Sequence, residues 1–428
     1  MTETGWMLLF LVVVGYLLVG KRLSRSPFTG PMVFVGAGLL FSDVGFGVMG
    51  SGPDTHFVGV VLEITLALVL FTDAVAIDLG ALGRESSVPV RLLGIGLPLS
   101  MIAGVGFALL MFDSFDFWHA AVLAVVLAPT DAALGQAVVA NPRVPRLIRQ
   151  GLSSESGLND GLAVPFLSIV VVGGLAAAGL ETETLGRVFV SEIGIGVIAG
   201  LVVGFVGGKA ILYFSQKDWM TSLARGLTVS GFAVISFLAA DSMGGSGFIA
   251  AFVGGVTFGA VTRSKYPEIG EHSEGVASIL TLASFFLFGS VLLGPRLGDI
   301  TLAVVGYAVL SLTFVRMVPV AIAMTRSNLN IRTKAYLGWF GPRGLASLVF
   351  ALTVVTDSGL PESEIINLVV ATTVALSVLL HGVTAYPGSR AYANWFESVS
   401  PAGESPHEAT EVVHLRKRYD ASPGWHQD

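Results

Sequence analysis

Apolar runs long enough to cross a membrane recur from one end of this chain to the other, and they leave it few folds to adopt. A membrane-spanning helix needs about 20 predominantly apolar residues, and residues 5–20 form the first of many such runs. Only 13% of the 428 residues are charged, about half of the ~25% typical of soluble domains, and the mean hydropathy is +0.78. Backbone hydrogen bonds inside lipid must be satisfied within the chain, and unbroken apolar runs achieve this as helices. The sequence therefore predicts an all-α polytopic membrane protein.

Hydropathy minima and helix-breaking residues divide the chain into about thirteen transmembrane helices. The first run has no basic segment before it and no small-residue cleavage site after it, so we expect a retained span rather than a cleaved signal. The glycine-rich run at 245–259 predicts close helix contacts in the ninth span. The predicted spans are residues 5–20, 28–42, 57–78, 88–112, 117–140, 147–179, 184–214, 221–240, 246–263, 274–294, 299–325, 333–356 and 364–386.

The distribution of lysine and arginine predicts the orientation of these spans. Nearly all of the 24 basic residues fall in connections that lie on one side if the spans alternate. The opposite side carries Arg187 and Arg296, and Arg316 and Arg343 fall inside spans. Because connections rich in lysine and arginine stay in the cytoplasm, we expect the N-terminus outside and the C-terminus inside a cell membrane (plasma or inner).

The predicted organisation is a transmembrane domain at residues 1–387 followed by a short tail at residues 388–428. The tail is polar, and at about 40 residues it is at the lower limit for a domain that folds alone, so we expect it to be cytoplasmic and flexible. The chain has no cysteine, which excludes disulfides and thiolate metal sites. It also has no P-loop and no HExxH arrangement, which argues against an ATP-driven pump and a zinc protease. We expect neither an enzyme nor a bound cofactor, and no nucleic-acid partner.

Three carboxylates in the stretch from Val125 to Pro165 lie where an ordinary membrane helix has none. Asp131, Glu155 and Asp160 fall within or at the edge of two predicted spans. An ionisable side chain at membrane depth is energetically costly and marks an ion or proton pathway by default. The sequence therefore predicts such a pathway here.

The fifth span is predicted to be interrupted near its middle. Pro129 removes a backbone donor and clashes with the preceding turn. An interruption frees carbonyl groups, which is tolerated at membrane depth only where they face protein or a wet cavity. Thr130 and Asp131 follow at once. Hydroxyl, carbonyl and carboxylate oxygens together are hard ligands suited to an alkali cation.

The twelfth span has the same design. Gly341, Pro342 and Gly344 surround Arg343 at mid-span, which predicts a second interrupted helix with a buried cation. Interruptions at corresponding positions of two halves are typical of inverted-repeat transporters. Span five is the fifth of the first six spans, and span twelve is the fifth of the last six. We therefore predict two inverted six-helix repeats with crossed interrupted helices. The predicted core comprises residues 117–140, 147–179 and 333–356.

The sixth span begins with a polar segment, SSESGLNDG, at 153–161. Glu155 and Asn159 are four residues apart, as are Ser156 and Asp160, and residues at this spacing lie on one helix face. Adjacent faces of this helix therefore offer carboxylate, amide and hydroxyl oxygens together.

The third span contributes three more acidic residues. Asp73 lies deep in the span, Glu63 lies nearer its outer end, and Asp78 lies at the cytoplasmic end, where an interfacial position is expected. Of the three, Asp73 is the candidate for a site inside the membrane.

The motifs PTD at 129–131, ESGLND at 155–160 and GPRG at 341–344 resemble those of sodium/proton antiporters of the NhaP and eukaryotic NHE type, within the monovalent cation:proton antiporter superfamily. The similarity covers residues 5–386 in span number and motif order. The Asn-Asp pair at 159–160 is the most specific element of this resemblance, because members of the electrogenic branch of the superfamily have an Asp-Asp pair at that place. The resemblance implies a homodimer with one complete ion path in each protomer.

The resemblance also implies roles for individual residues. In such relatives the cation is held near the crossing of two unwound helices. The implied Na⁺ ligands are Asp160, Ser156, Thr130 and Asp73. Asp131 and Asn159 complete the expected cation- and proton-binding set, and Glu155 with Arg343 is the expected buried structural ion pair. The third-span motif here is FTDA at 71–74, so Asp73 is matched by neighbourhood alone.

Several of these residues also fit a purely structural role. Asp160 could cap a helix, and Asp131 could offset the dipole of the broken helix. A buried pair of Glu155 and Arg343 would stabilise the fold, because removing one member leaves an uncompensated charge. We expect Arg316 to pair locally or to extend to the membrane surface.

A lone histidine is more often incidental than a pH sensor, and the candidates are His56, His119, His272 and His381.

The expected function is exchange of Na⁺ or Li⁺ for a proton by alternating access, in pH and sodium homeostasis. Proton and cation would compete for Asp160, so that loading one expels the other. With one exchanging carboxylate and a neutral Asn159 beside it, the expected stoichiometry is an electroneutral 1:1. Exchange of K⁺ for a proton on the same site is the nearest alternative. A cation channel would pass ions without proton counter-movement, and a transport-inactive sensor would bind without flux.

Overall fold

The chain folds almost entirely into helices in the part that the computed structural model describes, residues 3–23, 26, 28–48, 55–77, 87–180, 189–263 and 269–399. Among these residues, nine helices are long and apolar enough to cross a membrane. The all-α, multi-pass architecture is therefore confirmed, while the count of thirteen spans stays a prediction. Shorter apolar helices lie at the four remaining predicted spans, at Gly30–Phe41, Phe117–Val126, Gly247–Thr262 and Leu345–Thr356.

The α-helices are numbered here in chain order, and π-helical turns extend several of them. The first half comprises α1 (Glu3–Leu23), α2 (Gly30–Phe41), α3 (Thr55–Val75), α4 (Ser87–Arg91), α5 (Leu97–Met111), α6 (Phe117–Val126), α7 (Gln136–Val139) and α8 (Arg146–Ala177). The second half comprises α9 (Gly196–Gln216), α10 (Ser222–Asp241), α11 (Gly247–Thr262), α12 (Ile269–Leu287), α13 (Leu302–Leu312), α14 (Phe314–Ala323), α15 (Ile331–Trp339), α16 (Leu345–Thr353) and α17 (Ser363–Val399). The π-helical segments are Leu92–Gly96, Phe189–Ile195, Phe288–Leu293 and Val354–Ser358, and Gly294–Asp299 is a 3₁₀-helix.

Several helices begin at side chains that accept hydrogen bonds from otherwise unpaired backbone N–H groups. Asp116 Oδ1 accepts from the N–H groups of Trp118 at 2.8 Å and His119 at 3.0 Å at the start of α6. Thr221 and Asn330 accept in the same way at the start of α10 and α15. These residue types are the preferred N-caps, so the sequence itself determines where these helices start.

The helices form two groups that pack mainly within themselves. The first group, called the panel, comprises α1–α3 and α9–α12 with Phe288–Leu293. The second, called the core bundle, comprises α4–α8 and α13–α17. The two groups meet where α3 contacts α8 and α16, where α2 and Phe288–Leu293 contact α17, where α11 contacts α8, and where α12 contacts α16. The carboxylates of the fifth and sixth spans belong to the core bundle and Asp73 belongs to the panel.

Glycines allow α11 to approach its neighbours closely, as the glycine-rich run at 245–259 predicts. A Cβ atom added to Gly255 would lie 2.8 Å from Ala74 Cβ and 2.9 Å from Phe71 Cα on α3. On another face, a Cβ added to Gly200 of α9 would lie 2.6 Å from the Ala250 carbonyl oxygen of α11. Real Cβ atoms do not approach this closely, so these contacts require glycine. The predicted close approach is confirmed.

The last helix is longer than a membrane crossing requires. It has 37 residues and continues to Val399, beyond the boundary predicted at residue 387. Near its end, Glu397 forms an ion pair at 2.8 Å with Arg143, which follows α7. Asn394 Oδ1 accepts from the same guanidinium at 2.5 Å. The start of the predicted tail therefore prolongs the helix, and its remainder, 400–428, lies outside the described residues.

Candidate functional site

The fifth span is interrupted where Pro129 predicts. The helix α6 ends at Val126 and α7 begins at Gln136, and the residues between them form no regular helix. Pro129 has no N–H to continue the helix, and Thr130, which follows it, is almost fully buried. The predicted interruption of the fifth span is confirmed.

The twelfth span is interrupted at the predicted glycines, and the two interruptions touch. The helix α15 ends at Trp339 and α16 begins at Leu345. The backbone N–H of Asp131 donates to the carbonyl oxygen of Pro342 at 2.8 Å. This hydrogen bond joins the broken segment of one half of the chain to that of the other, as expected for crossed interrupted helices.

The carboxylate of Asp131 accepts hydrogen bonds with both oxygens. Oδ2 accepts from the N–H of Leu345 at 2.9 Å, and Oδ1 accepts from the N–H groups of Ala133 at 2.7 Å and Leu134 at 3.4 Å. The bond to Leu345 places a negative charge at the N-terminus of α16, where the helix dipole favours it. Gly344 makes this approach possible, because a Cβ atom there would collide with the carboxylate. The arrangement supports the structural role for Asp131.

Arg343 lies almost fully buried on the other side of the crossing. Its guanidinium donates to the carbonyl oxygens of Ala128 at 2.5 Å and Pro129 at 3.0 Å. Its backbone N–H donates to Ser377 Oγ at 2.7 Å. The guanidinium thus satisfies carbonyls that the interruption at Pro129 leaves without helical donors, and its charge matches the negative end of the α6 dipole.

The buried ion pair joins Glu155 to Arg316, and the expected pairing of Glu155 with Arg343 is wrong. Arg316 donates to the two carboxylate oxygens of Glu155 at 2.5 and 2.7 Å, and each side chain is only 2% exposed. Arg343 is engaged by the carbonyls of the fifth span instead. The expectation that Arg316 pairs locally or extends to the membrane surface is also wrong, because its partner lies 161 residues away in the chain.

One feature of the sequence could have predicted that Arg316 has a partner far away in the chain. A guanidinium in the middle of an apolar span requires a buried partner, but no acidic residue lies nearby in the eleventh span. Gly341 makes the reach to Glu155 possible, since a Cβ atom there would lie 2.6 Å from Arg316 Cζ. The twelfth-span glycines therefore accommodate Arg316 as well as Asp131.

Three of the candidate ligands are joined by hydrogen bonds between the fifth and sixth spans. The Thr130 and Ser156 hydroxyls lie 3.0 Å apart, and Asn159 Nδ2 donates to Thr130 Oγ1 at 2.7 Å. The amide oxygen Oδ1 of Asn159 is buried and has no hydrogen-bond partner within the described chain. Asp160 follows in the same helix and is 7% exposed. Hydroxyl, amide and carboxylate oxygens thus collect beside the crossing.

Asp73 is buried in α3, at 3% exposure, in the panel helix that contacts α8. The hydrogen bonds that join Thr130, Ser156 and Asn159 do not include it. Of the other acidic candidates in this span, Glu63 lies on the same helix and Asp78 lies outside the described residues. The placement of Asp73 is compatible with a ligand contributed from the panel to a site in the core bundle.

The donor set suits an alkali cation or a proton better than a transition metal. Where the chain is described, no cluster of three or more histidine, cysteine or acidic side chains could hold a metal ion. Hydroxyl, carbonyl and carboxylate oxygens are the ligands of hard cations. Two crossed interrupted helices with such oxygens beside them are typical of one class of protein, the secondary ion transporters.

Residues 8–388 match the family described as "Sodium/hydrogen exchanger, transmembrane". The chain belongs to this family. It is also similar in fold to the sodium proton antiporter MjNhaP1 from Methanocaldococcus jannaschii, with a TM-score of 0.70 at 18% sequence identity, over 90% of this chain and 97% of that chain.

Curated relatives carry names that specify different cations. The Na(+)/H(+) antiporter ApNhaP of Aphanothece halophytica is 28% identical over 368 residues, covering 81% of this chain and 67% of the relative. The K(+)/H(+) antiporter NhaP2 of Shewanella oneidensis is 24% identical over 401 residues, covering 88% of this chain and 66% of the relative. The chain thus spans about two thirds of the length of these relatives.

Proposed function

We propose that this chain is a secondary antiporter that exchanges Na⁺ or Li⁺ for a proton by alternating access. The observation that carries the proposal is the position of Asp160, a buried carboxylate beside the crossing of two interrupted helices. Asp160 directly follows Asn159, whose side chain donates to Thr130 on the interrupted fifth span. Membership of the sodium/hydrogen exchanger family supports the same reaction.

The chemistry of the proposed exchange is competition for one carboxylate. A proton and a cation each neutralise a carboxylate at membrane depth, where its charge is costly, so in the proposed exchange Asp160 holds one or the other. The proposed Na⁺ ligands are Asp160, Ser156, Thr130 and Asp73, with Asp131 and Asn159 positioning them. A cation that arrives at one membrane face displaces the proton, and a proton that arrives at the other face displaces the cation.

We further propose that the exchange is electroneutral, one cation for one proton. Two carboxylates of the fifth and sixth spans already have positive or N–H partners, because Glu155 pairs with Arg316 and Asp131 accepts three backbone hydrogen bonds. Asn159 next to Asp160 is neutral. Steady-state exchange driven by an imposed voltage in sealed vesicles would contradict this stoichiometry.

Potassium is the second candidate cation. The K(+)/H(+) antiporter NhaP2 of Shewanella oneidensis covers 88% of this chain, the same share as the low-affinity Na(+)/H(+) antiporter NhaS1 of Synechocystis. Choice between the two cations depends on cavity size and on how rigidly the oxygens are held.

We also propose a homodimer in a plasma or inner membrane, with the N-terminus outside and the C-terminus in the cytoplasm.

Proton movement in inside-out vesicles tests the proposal. Pulses of sodium, lithium or potassium are given across a pH series to vesicles that contain the native chain, Asp160→Asn or Asp113→Asn. The last is the matched control, because Asp113 is an exposed carboxylate outside the spans. Collapse of the pH gradient in the native and control chains only, at equal protein level, would establish antiport and identify the cation. Cation flux without proton movement would indicate a channel, and cation binding without flux a sensor.

A further inference from the structure

We propose that His381 is a positioning residue of the transport site, which holds the interruption of the twelfth span against that of the fifth. The inference rests on the proposed antiport, which supplies its assay. His381 lies on α17, in the core bundle, and is 1% exposed. It is not a candidate ligand and does not touch Asp160 through any hydrogen bond it makes.

One face of α17 contacts the interrupted segment at three points. Ser377, His381 and Thr384 are spaced by four and three residues, which places them on one helix face. Thr384 Oγ1 accepts from the indole N–H of Trp339 at 3.0 Å, and His381 Nε2 lies 2.9 Å from the Trp339 carbonyl oxygen. Ser377 Oγ accepts from the N–H of Arg343 at 2.7 Å. The face therefore holds the last residue of α15 and the residue that precedes Gly344 at the start of α16.

The chemistry of these groups determines the direction of the hydrogen bonds. The Trp339 carbonyl can only accept, so His381 Nε2 carries a hydrogen. The Arg343 backbone N–H can only donate, so Ser377 Oγ accepts it and keeps its own hydrogen to donate. His381 Nδ1 lies 3.2 Å from that hydroxyl and 3.0 Å from the Ser377 carbonyl oxygen. Contacts at hydrogen-bond distance therefore run from Arg343 through Ser377 and His381 to Trp339.

The same chain leads to the proposed cation ligands. Arg343, held at its backbone by Ser377, donates with its guanidinium to the carbonyls of Ala128 and Pro129. The next residue is Thr130, which Asn159 and Ser156 contact. Without His381, the N–H of Gly341, at 2.9 Å, is the one donor that the described residues leave to the Trp339 carbonyl. The segment between α15 and α16 would then lose a hydrogen bond from α17. The ligands of a transport site function only when their positions are fixed precisely.

The test compares two substitutions of His381 with a matched control. His381→Gln places an amide N–H near the position of Nε2, whereas His381→Phe keeps a ring and removes every donor. His119→Phe is the control, because His119 is also buried in the core bundle but bonds to Asp116 at the start of α6, away from the crossing. Each purified variant is reconstituted in proteoliposomes, and initial antiport rates are measured against sodium concentration across a pH series.

We expect His381→Phe to lower the maximal rate divided by KM about tenfold, the effect of losing one buried hydrogen bond. His381→Gln should stay within about twofold of the native value with the native pH profile, and His119→Phe should match the native chain. Native activity in His381→Phe would overturn the inference. So would a displaced pH profile in an active His381→Gln, because His381 would then act by titration rather than by position.

A second variant keeps the inference testable if His381→Phe does not fold. Ser377→Ala removes the link between His381 and the Arg343 backbone, and a loss of similar size is expected from it. Native antiport by a folded Ser377→Ala would overturn the inference. If the native chain itself shows no antiport with any cation, the proposed function fails instead, so the two failures are distinguishable.

Discussion

Asp131 and Arg343 each stabilise the end of a helix on the opposite interrupted span. The Asp131 carboxylate accepts from the N–H of Leu345 at the start of α16, and the Arg343 guanidinium donates to the carbonyls of Ala128 and Pro129 after α6. A negative charge thus meets the positive end of one helix and a positive charge meets the negative end of the other. Interrupting a span exposes both kinds of helix end at membrane depth, and each interruption supplies the group that the other one needs.

Removing the Asp131 side chain should destabilise the protein. Asp131→Ala leaves the N–H of Leu345 without its acceptor, and loss of such a cap costs about 1–2 kcal/mol. The measurement is the thermal unfolding midpoint of the purified protein. Asp160→Asn is the comparison, because we assign Asp160 to ion exchange and expect no fall in the midpoint. Equal midpoints for Asp131→Ala and the native chain would show that the cap is not important.

Breaking the Glu155–Arg316 pair should be more damaging than removing it whole. Glu155→Gln or Arg316→Met alone leaves one buried charge without a partner, which costs about 3–5 kcal/mol. The double variant should lose less stability than the sum of the two single losses, because neither charge then remains. Unfolding free energies of the four proteins measure this coupling. A larger coupling of Glu155 to Arg343→Met than to Arg316→Met would restore the pairing that the sequence implied.

Adding one methyl group at Gly344 should disturb the crossing. A Cβ atom there would lie 2.6 Å from Asp131 Cβ, and relief of such a clash costs about 1–3 kcal/mol. We expect Gly344→Ala to lower both the unfolding midpoint and the antiport rate. Gly106→Ala is the control, because nothing lies within 4 Å of the added atom. If both variants behave like the native chain, the close approach at Gly344 affects neither stability nor antiport.

The start of α6 should loosen in acid. Burial raises the pKa of Asp116, but the hydrogen bonds from His119 and Trp118 outweigh it and hold that pKa below its ordinary value. A carboxylate with a lowered pKa stabilises the fold above its unfolded pKa, and the stabilisation is lost as the pH falls through the folded pKa. Amide hydrogen exchange at residues 117–120 should therefore accelerate on acidification relative to Asp116→Asn at the same pH. A constant ratio between the two proteins would contradict this role.

Features that depend on local chemistry could be predicted from the sequence. Pro129 and the glycines around Pro342 interrupt a helix wherever they occur, and both interruptions lie where they were expected. The sixth span was predicted at 147–179 and is observed at Arg146–Ala177, between Pro145 before its first residue and Gly179, with a positive φ, just beyond its end. The beginning of the tail was harder, since the polar residues after 387 extend a helix whose support comes from Arg143 in a distant connection.

The partner of Glu155 could not be predicted, because two buried arginines compete for it. The choice depends on which guanidinium the carbonyls freed at Pro129 already satisfy, and that is a property of the crossing rather than of either span. The face formed by Ser377, His381 and Thr384 was not predicted, because no local pattern shows that this part of the last helix meets Trp339.

The helix α17 supports both interrupted spans, which has a mechanical consequence. Its middle holds Trp339 and Arg343 of the twelfth span, and its end holds Arg143 beyond the fifth. Both sets of contacts lie on one helix, with Pro387 between them, so α17 links the two interruptions. We expect the oxygens of Thr130, Ser156 and Asp160 to move together with the core bundle while Asp73 stays in the panel, so that the cargo keeps the same core-bundle ligands at both faces of the membrane.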